Sequence, residues 1–251
     1  MWRVRDGSRS GGLACRHAPL LAGIAFGAVA IGVALAAGAP AAAIYAVSFW
    51  HYYLYWLAYR YRAVPLGIFK RDAALAKGVA LAALATAYFA YPLDALSLAL
   101  VAGGFGLNLA GAAALGPDRT YYGREVAGLP ARRVTAFPYS VVAHPMLAGN
   151  MLAFGATLLN DGFRAGWWPL ACAHVGLNAG LLIMETRDAR SHAMPAFLAA
   201  TALAALIAAA GAGLVVAALI PAAALAYGYV LHRSYTAPAH ALESIRKEAT
   251  S

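Results

Sequence analysis

Residues 193–231 read AMPAFLAATALAALIAAAGAGLVVAALIPAAALAYGYVL, 39 residues without one Asp, Glu, Lys or Arg. As one helix they would extend about 58 Å, almost twice the roughly 30 Å hydrocarbon thickness of a bilayer. The chain is therefore expected to turn back inside this stretch, at Gly211 to Gly213 or, as the rival break, at Pro221. Working outward, apolar runs of spanning length recur near residues 19–38, 41–59, 73–91, 93–115, 141–160, 166–184, 194–211 and 213–231. Of the 251 residues, 63% are hydrophobic and 12% charged, too few polar side chains to cover a water-exposed surface. The expectation is an all-α fold, a polytopic transmembrane bundle of about eight spans.

The formal charge of +9 raises the question of nucleic acid, but the basic residues lie between apolar runs rather than along one helix face. Membrane orientation accounts for them. With the N-terminus in the cytoplasm, four Lys or Arg fall in the N-terminal tail, five in the second loop, four in the fourth, two in the sixth and three in the C-terminal tail. Only Arg164 lies on the other side, so the positive-inside rule favours an even number of crossings and cytoplasmic termini. Seven spans would leave Arg233, Arg246 and Lys247 outside. The Arg-rich N-terminus resembles a signal peptide, but the next apolar run follows at once, and a retained first helix is expected. Cys15 and Cys172 have no spacing that suggests a disulfide or a metal site.

The second run is crowded with Tyr45, Phe49, Trp50, Tyr52, Tyr53, Tyr55, Trp56 and Tyr59 around His51. Bulky packing together with an interfacial belt is the expectation; attraction of a sulfonium or ammonium by the ring faces is the alternative. Asn150 and Asn178, polar groups inside spans, are expected to hydrogen-bond between helices, and Asn108 to make a packing hydrogen bond.

The most informative connection is residues 116–150, GPDRTYYGREVAGLPARRVTAFPYSVVAHPMLAGN, where aromatic, Pro and basic residues gather near one membrane surface. His144 precedes Pro145 where a helix would begin, since proline suits the first turn. Thr120, Tyr121 and Gly123, then Arg133-Val134-Thr135, Phe137-Pro138-Tyr139, and Pro145, Met146 and Gly149 resemble the phosphatidylethanolamine N-methyltransferases in residue type and spacing. His144-Pro145 with a downstream glutamate is also similar to the wider group of isoprenylcysteine carboxyl methyltransferase-like membrane enzymes. The resemblance covers roughly residues 90–190, flanked by 1–89 with the first membrane helices and by 191–251 with a helical pair and tail. A lesser match at Tyr235, Thr236 and Ala237 lacks carboxylates.

That resemblance implies S-adenosylmethionine as methyl donor, no metal, and a membrane lipid as partner. It implies transfer of methyl groups to the amine of a phospholipid such as phosphatidylethanolamine or its methylated forms. In the family two glutamates follow the Pro-Met element by about forty residues; here those positions are Met184 and Glu185. Glu185 and His144 are the expected catalytic residues. Gly104, Gly106, Arg133, His144, Pro145 and Glu185 are expected at the cofactor, and Arg132, Tyr121 and Tyr139 at the lipid. Arg suits an anionic partner through charge-assisted pairing. The active site is expected to face the cytoplasm, in a bacterial cytoplasmic membrane or the endoplasmic reticulum. A carboxyl methyltransferase for prenylcysteine is the alternative enzyme, and a transporter or non-catalytic membrane protein the alternative of another class.

Overall fold

The computed structural model describes residues 24–25, 27–29, 31–36, 38–61, 66–131, 133–186, 202 and 229. The helices are α1 (Pro40–Ser48), α2 (Trp50–Tyr61), α3 (Leu66–Tyr88), α4 (Ala95–Leu115), α5 (Pro117–Thr120), α6 (Gly123–Ala127), α7 (Pro145–Ala156) and α8 (Asp161–Thr186). A 3-10 turn, Thr157–Leu159, prolongs α7. No strand occurs among the described residues.

Local chemistry sets the helix ends. The Asp94 side chain accepts from the Ser97 N–H at 2.7 Å and starts α4. Gly116, at φ +86°, stops it, and Pro117 and Pro145 occupy first-turn positions of α5 and α7. Asn160 begins α8 by accepting from the Phe163 N–H at 3.1 Å, and its amide donates to the Pro92 carbonyl at 2.9 Å. Beside it, Tyr88 and Ser97 share a 2.7 Å hydrogen bond, and Ser97 donates to the Ala156 carbonyl at 2.8 Å. These contacts clasp the 89–94 and 157–160 connections together at one end of the bundle.

At the opposite end Lys70 pairs with Asp118, Tyr122 reaches Glu185, and His144 faces Glu185. The connection between α4 and α7 and the end of α8 therefore share one face, as the alternating charge pattern requires.

Along the seam between α4 and α7 the backbones touch. A Cβ on Gly149 would run into the Gly104 carbonyl oxygen and stand 2.8 Å from the Asn108 nitrogen; one on Gly104 would stand 2.6 Å from the Ala153 nitrogen. Small residues at such spacing let apolar helices pack closely. Asn108 donates to the Met146 carbonyl at 2.9 Å, the packing hydrogen bond expected of it. On the other side, α1 and α2 pack on α3, and aromatic rings join that group to α8: Tyr45 stacks on Trp167 at 5.7 Å, and Phe49 lies 5.1 Å from His174.

Tyr45, Phe49, Trp50, Tyr52, Tyr53, Trp56 and Tyr59 are all buried. Packing explains them, and the interfacial belt expected alongside it is not formed by these seven, because their rings fill the space around α3 and α8. Large apolar side chains instead face outward, among them Leu75, Val79, Leu96, Leu109, Leu152 and Ile183, the inverse of a water-exposed surface.

Among the described residues two helices, Ala95–Leu115 and Asp161–Thr186, have the length and apolarity to cross a membrane. They match the expected spans 93–115 and 166–184. Eight crossings thus stay an expectation; spans 194–211 and 213–231 and the Tyr235–Ala237 match lie outside the described residues. One boundary needs correction. The third helix begins at Leu66, not near residue 73, so Lys77, counted among the loop charges, lies in mid-helix.

Because the seam has no room for a methyl, Gly149→Ala is expected to lower stability by about 1–3 kcal/mol. Gly106, with nothing within 4 Å of its Cβ position, should accept Ala with no loss or a gain of about 0.5–1 kcal/mol. Thermal unfolding of the two variants in detergent micelles measures the contrast.

Candidate active site

Glu185 lies on the last turn of α8, and two separate segments converge on it. Tyr122, between α5 and α6, donates its hydroxyl to Glu185 Oε1 at 2.9 Å. His144, immediately before α7, places Nδ1 3.5 Å from Glu185 Oε2. Tyr122 has φ +55° and ψ +35°, a left-handed conformation that an aromatic residue adopts only when its surroundings hold it there. Burial is what holds it: Tyr55, Tyr59 and Phe69 pack around its ring at 5.5–6.3 Å between centroids.

The electrostatics follow from these contacts. Burial pushes the Tyr122 phenol well up, and the Glu185 carboxylate adds to this, so Tyr122 stays the donor. His144 is raised above the ordinary histidine value, chiefly by its hydrogen bond to Glu185, against a smaller opposing effect of burial. Tyr139 is raised by burial and then by the field of Glu185, which places its hydroxyl within that carboxylate's electrostatic reach.

Glu185 stands where two cavities meet. One, about 560 Å³, runs under the loop between α2, α3, α4, α7 and α8. Its wall holds the rings of Tyr52, Tyr55, Tyr121 and Tyr122, with Tyr55 and Tyr121 stacked at 6.2 Å. The other, about 330 Å³, opens on the loop face beside Arg119, Arg124 and Glu125. Thr120, Tyr122, Met146 and Glu185 line both.

A buried polar chain stiffens the floor of the larger cavity. Asn150 donates to Asn178 Oδ1 at 3.1 Å, Asn178 donates to the Tyr52 hydroxyl at 2.7 Å, and that hydroxyl lies 2.9 Å from His174 Nδ1. The interhelical hydrogen bond expected of Asn150 and Asn178 is thus present. Two buried atoms on this wall, Asn150 Oδ1 and His51 Nδ1, have no partner among the described residues.

The other expected site residues are distributed as follows. Tyr121 lines the larger cavity. Gly104 and Pro145 are buried in the α4–α7 seam, where the Pro145 ring lies against Gly111, and Gly106 is exposed on the outward side of α4. Arg133 is exposed and lines a third hollow of about 370 Å³ with Arg119, Arg124 and Glu125, one step away from Glu185. Arg132 lies outside the described residues. Met184, where the family has its first glutamate, points into the core at 2% exposure.

Sequence reading put Tyr122 nowhere among the expected site residues, set Tyr52 only in the aromatic run, and counted Lys77 with the loop charges. The Tyr-Tyr-Gly run was the available signal for the first; for Lys77 it was Pro65, which marks an earlier start of α3.

Fold and site together define a class: an all-helical bundle, apolar outside, with a carboxylate at the junction of two cavities under one loop-covered rim. Residues 93–188, the segment from α4 to the end of α8, match the family model of the phospholipid methyltransferases, and the chain is similar to that family over this segment. The match supports a methyltransferase in the general class of phospholipid methylation. Neither the curated proteins nor the solved structures return a match.

The raised His144 value has a consequence for stability. Its folded-state pKa exceeds the unfolded value of about 6.5, so the pairing with Glu185 contributes fully below that pH and is lost as pH rises through the folded value. Imidazole titration followed by NMR is expected to give a midpoint above 6.5 in the wild type and a lower one in Glu185→Gln. An unchanged midpoint in the variant would remove the pair.

Proposed function

We propose that the protein transfers methyl groups from S-adenosylmethionine to the amine of a membrane phospholipid, with Glu185 at the centre of the site. The observation that carries this reading is the Glu185 carboxylate, fixed by Tyr122 and facing His144, at the edge of an aromatic-walled cavity. Carboxylate and ring faces suit a cationic group, either a sulfonium or an ammonium. A carboxylate acceptor such as prenylcysteine would be repelled by Glu185, which favours the amine.

The residues also fit the methyl donor. The unpartnered Asn150 Oδ1 would accept from an N–H or O–H, and the loop-face cavity offers Arg119 and Arg124 to a carboxylate. Glu185, His144 and the rim arginines, with Arg133 at the adjoining hollow, would hold S-adenosylmethionine. Bound there, it supplies the methyl group. In this reading Gly104 and Pro145 serve by keeping α4 and α7 in contact, and Gly106 faces away from the cavity.

The lipid amine must be neutral to react. With a pKa near that of lysine, about 10.4, its deprotonation at pH 7 costs roughly 4–5 kcal/mol. Glu185 attracts the ammonium, Tyr122 keeps the carboxylate oriented, and neutral His144 accepts the proton. Since Glu185 raises the His144 pKa, turnover should climb with pH through a midpoint above the ordinary histidine value. The positive loops would face the cytoplasm, where the donor is made, and a lipid would reach the larger cavity between α3 and α4, whose facing residues Ala74, Gly78, Leu109 and Ala113 are exposed.

The test is transfer from labelled S-adenosylmethionine by the protein in lipid nanodiscs offering phosphatidylethanolamine, its mono- and dimethyl forms and a prenylcysteine. Label is expected on the phospholipids, and Glu185→Gln should lower the rate by roughly 10²–10⁴-fold. Label on prenylcysteine alone would move the protein to carboxyl methylation; no label with bound donor would sink the enzyme reading.

A further inference from the structure

Lys77 lies midway along α3, and its ammonium enters the wall of the larger cavity rather than reaching the rim. It sits seven residues, about 10 Å, along the helix from Lys70, which pairs with Asp118 at the loop face. Lys77 donates to Asn108 Oδ1 at 3.3 Å, and no carboxylate pairs with it among the described residues. Asn108 is a neutral acceptor, held in place by its amide's hydrogen bond to the Met146 carbonyl, and leaves the ammonium's charge unbalanced. A lysine ammonium this far inside an apolar bundle is costly unless an anion meets it. A second polar group stands nearby: His51, 5% exposed, lines the same wall, and its Nδ1, a donor in one imidazole tautomer, has no partner among the described residues.

We propose that Lys77, with His51, binds the phosphodiester of the acceptor phospholipid, an anion subsite beneath the amine site. Lys77 lies outside the residues matched to the family, so the match assigns it nothing. This inference rests on the lipid amine reading above and extends it to the next chemical group of the substrate.

The order of groups down the cavity supports a lipid rather than another anion. Glu185 is at the rim, Lys77 lies deeper, and the exposed, small or apolar Ala74, Gly78 and Leu109 form the side beyond. A phospholipid presents the same sequence of groups: amine outermost, phosphate beneath it, acyl chains below and to the side. The helix spacing agrees, because Ala74, Lys77, Gly78 and Leu81 share one face of α3 at i, i+3, i+4 and i+7. An anion that meets Lys77 therefore comes with apolar neighbours. The carboxylate of the water-soluble donor has nearer arginines at the loop face, Arg119 and Arg124.

Binding is measured in detergent by native mass spectrometry for three ligands: a diacyl phosphatidylethanolamine, a diacyl primary amine with the same chains but no phosphate, and S-adenosylmethionine. Wild-type protein should prefer the phospholipid over the phosphate-free amine by about tenfold or more, the scale of one charge-assisted contact. Lys77→Met should abolish that preference and leave affinity for the amine and for S-adenosylmethionine within about twofold, and Lys77→Arg should restore most of it, since the charge is what counts. Equal loss for both lipids, loss confined to S-adenosylmethionine, or no preference in the wild type each overturns the phosphate subsite. These readouts need no turnover, so an inactive wild type that still shows the preference would overturn methyl transfer alone.

Discussion

The contact of α4 with α7 at Gly104 and Gly149 is the constraint on which the site depends. Where two backbones touch, neither helix can slide or rotate without collision, and the Asn108 hydrogen bond to the Met146 carbonyl fixes the register. Pro145 begins α7 within that seam, so the residue before it, His144, emerges at a set height beside the last turn of α8. The Pro-Met-x-x-Gly pattern is thus explained as packing, and the placing of His144 beside Glu185 is its consequence.

Glu185 and Met184 show how one helical step separates two roles. Successive residues on a helix point about 100° apart, so Met184 enters the core while Glu185 faces the cavity. A carboxylate at position 184 would be nearly sealed from water, and burying an unpaired charge costs several kcal/mol. Methionine there removes that cost and leaves one carboxylate facing the cavity, contacted by the Tyr122 hydroxyl and His144.

Rigidity around that carboxylate comes from two sources. The Asn150–Asn178–Tyr52–His174 chain links α7, α8 and α2 by buried hydrogen bonds, which makes the cavity floor hard to deform. Tyr122 adds a strained backbone position, a cost of about 1–3 kcal/mol, tolerated because its ring is packed among Tyr55, Tyr59 and Phe69 and its hydroxyl is satisfied by Glu185.

Helical class, the runs at 93–115 and 166–184, the gathering of His144 and Glu185 at one face, and the 93–188 family segment were all legible in the chain, because apolar length, charge alternation and motif spacing are local properties. A local signal also sufficed for the helix start at Pro145. Such signals did not suffice for Gly104, Gly106 or Lys77. A glycine's purpose depends on which helix lies against it, and the side of α4 facing α7 is decided by packing between segments forty residues apart. Lys77 belonged to a loop or a cavity according to where α3 began, and what its charge faces was settled only when α2, α4 and α8 closed around it. Residue types and their order determined that Glu185, His144 and the aromatic loop residues would gather at one end of the bundle; the tertiary structure decided which side chains meet there, since distance between them is a property of the assembled helices.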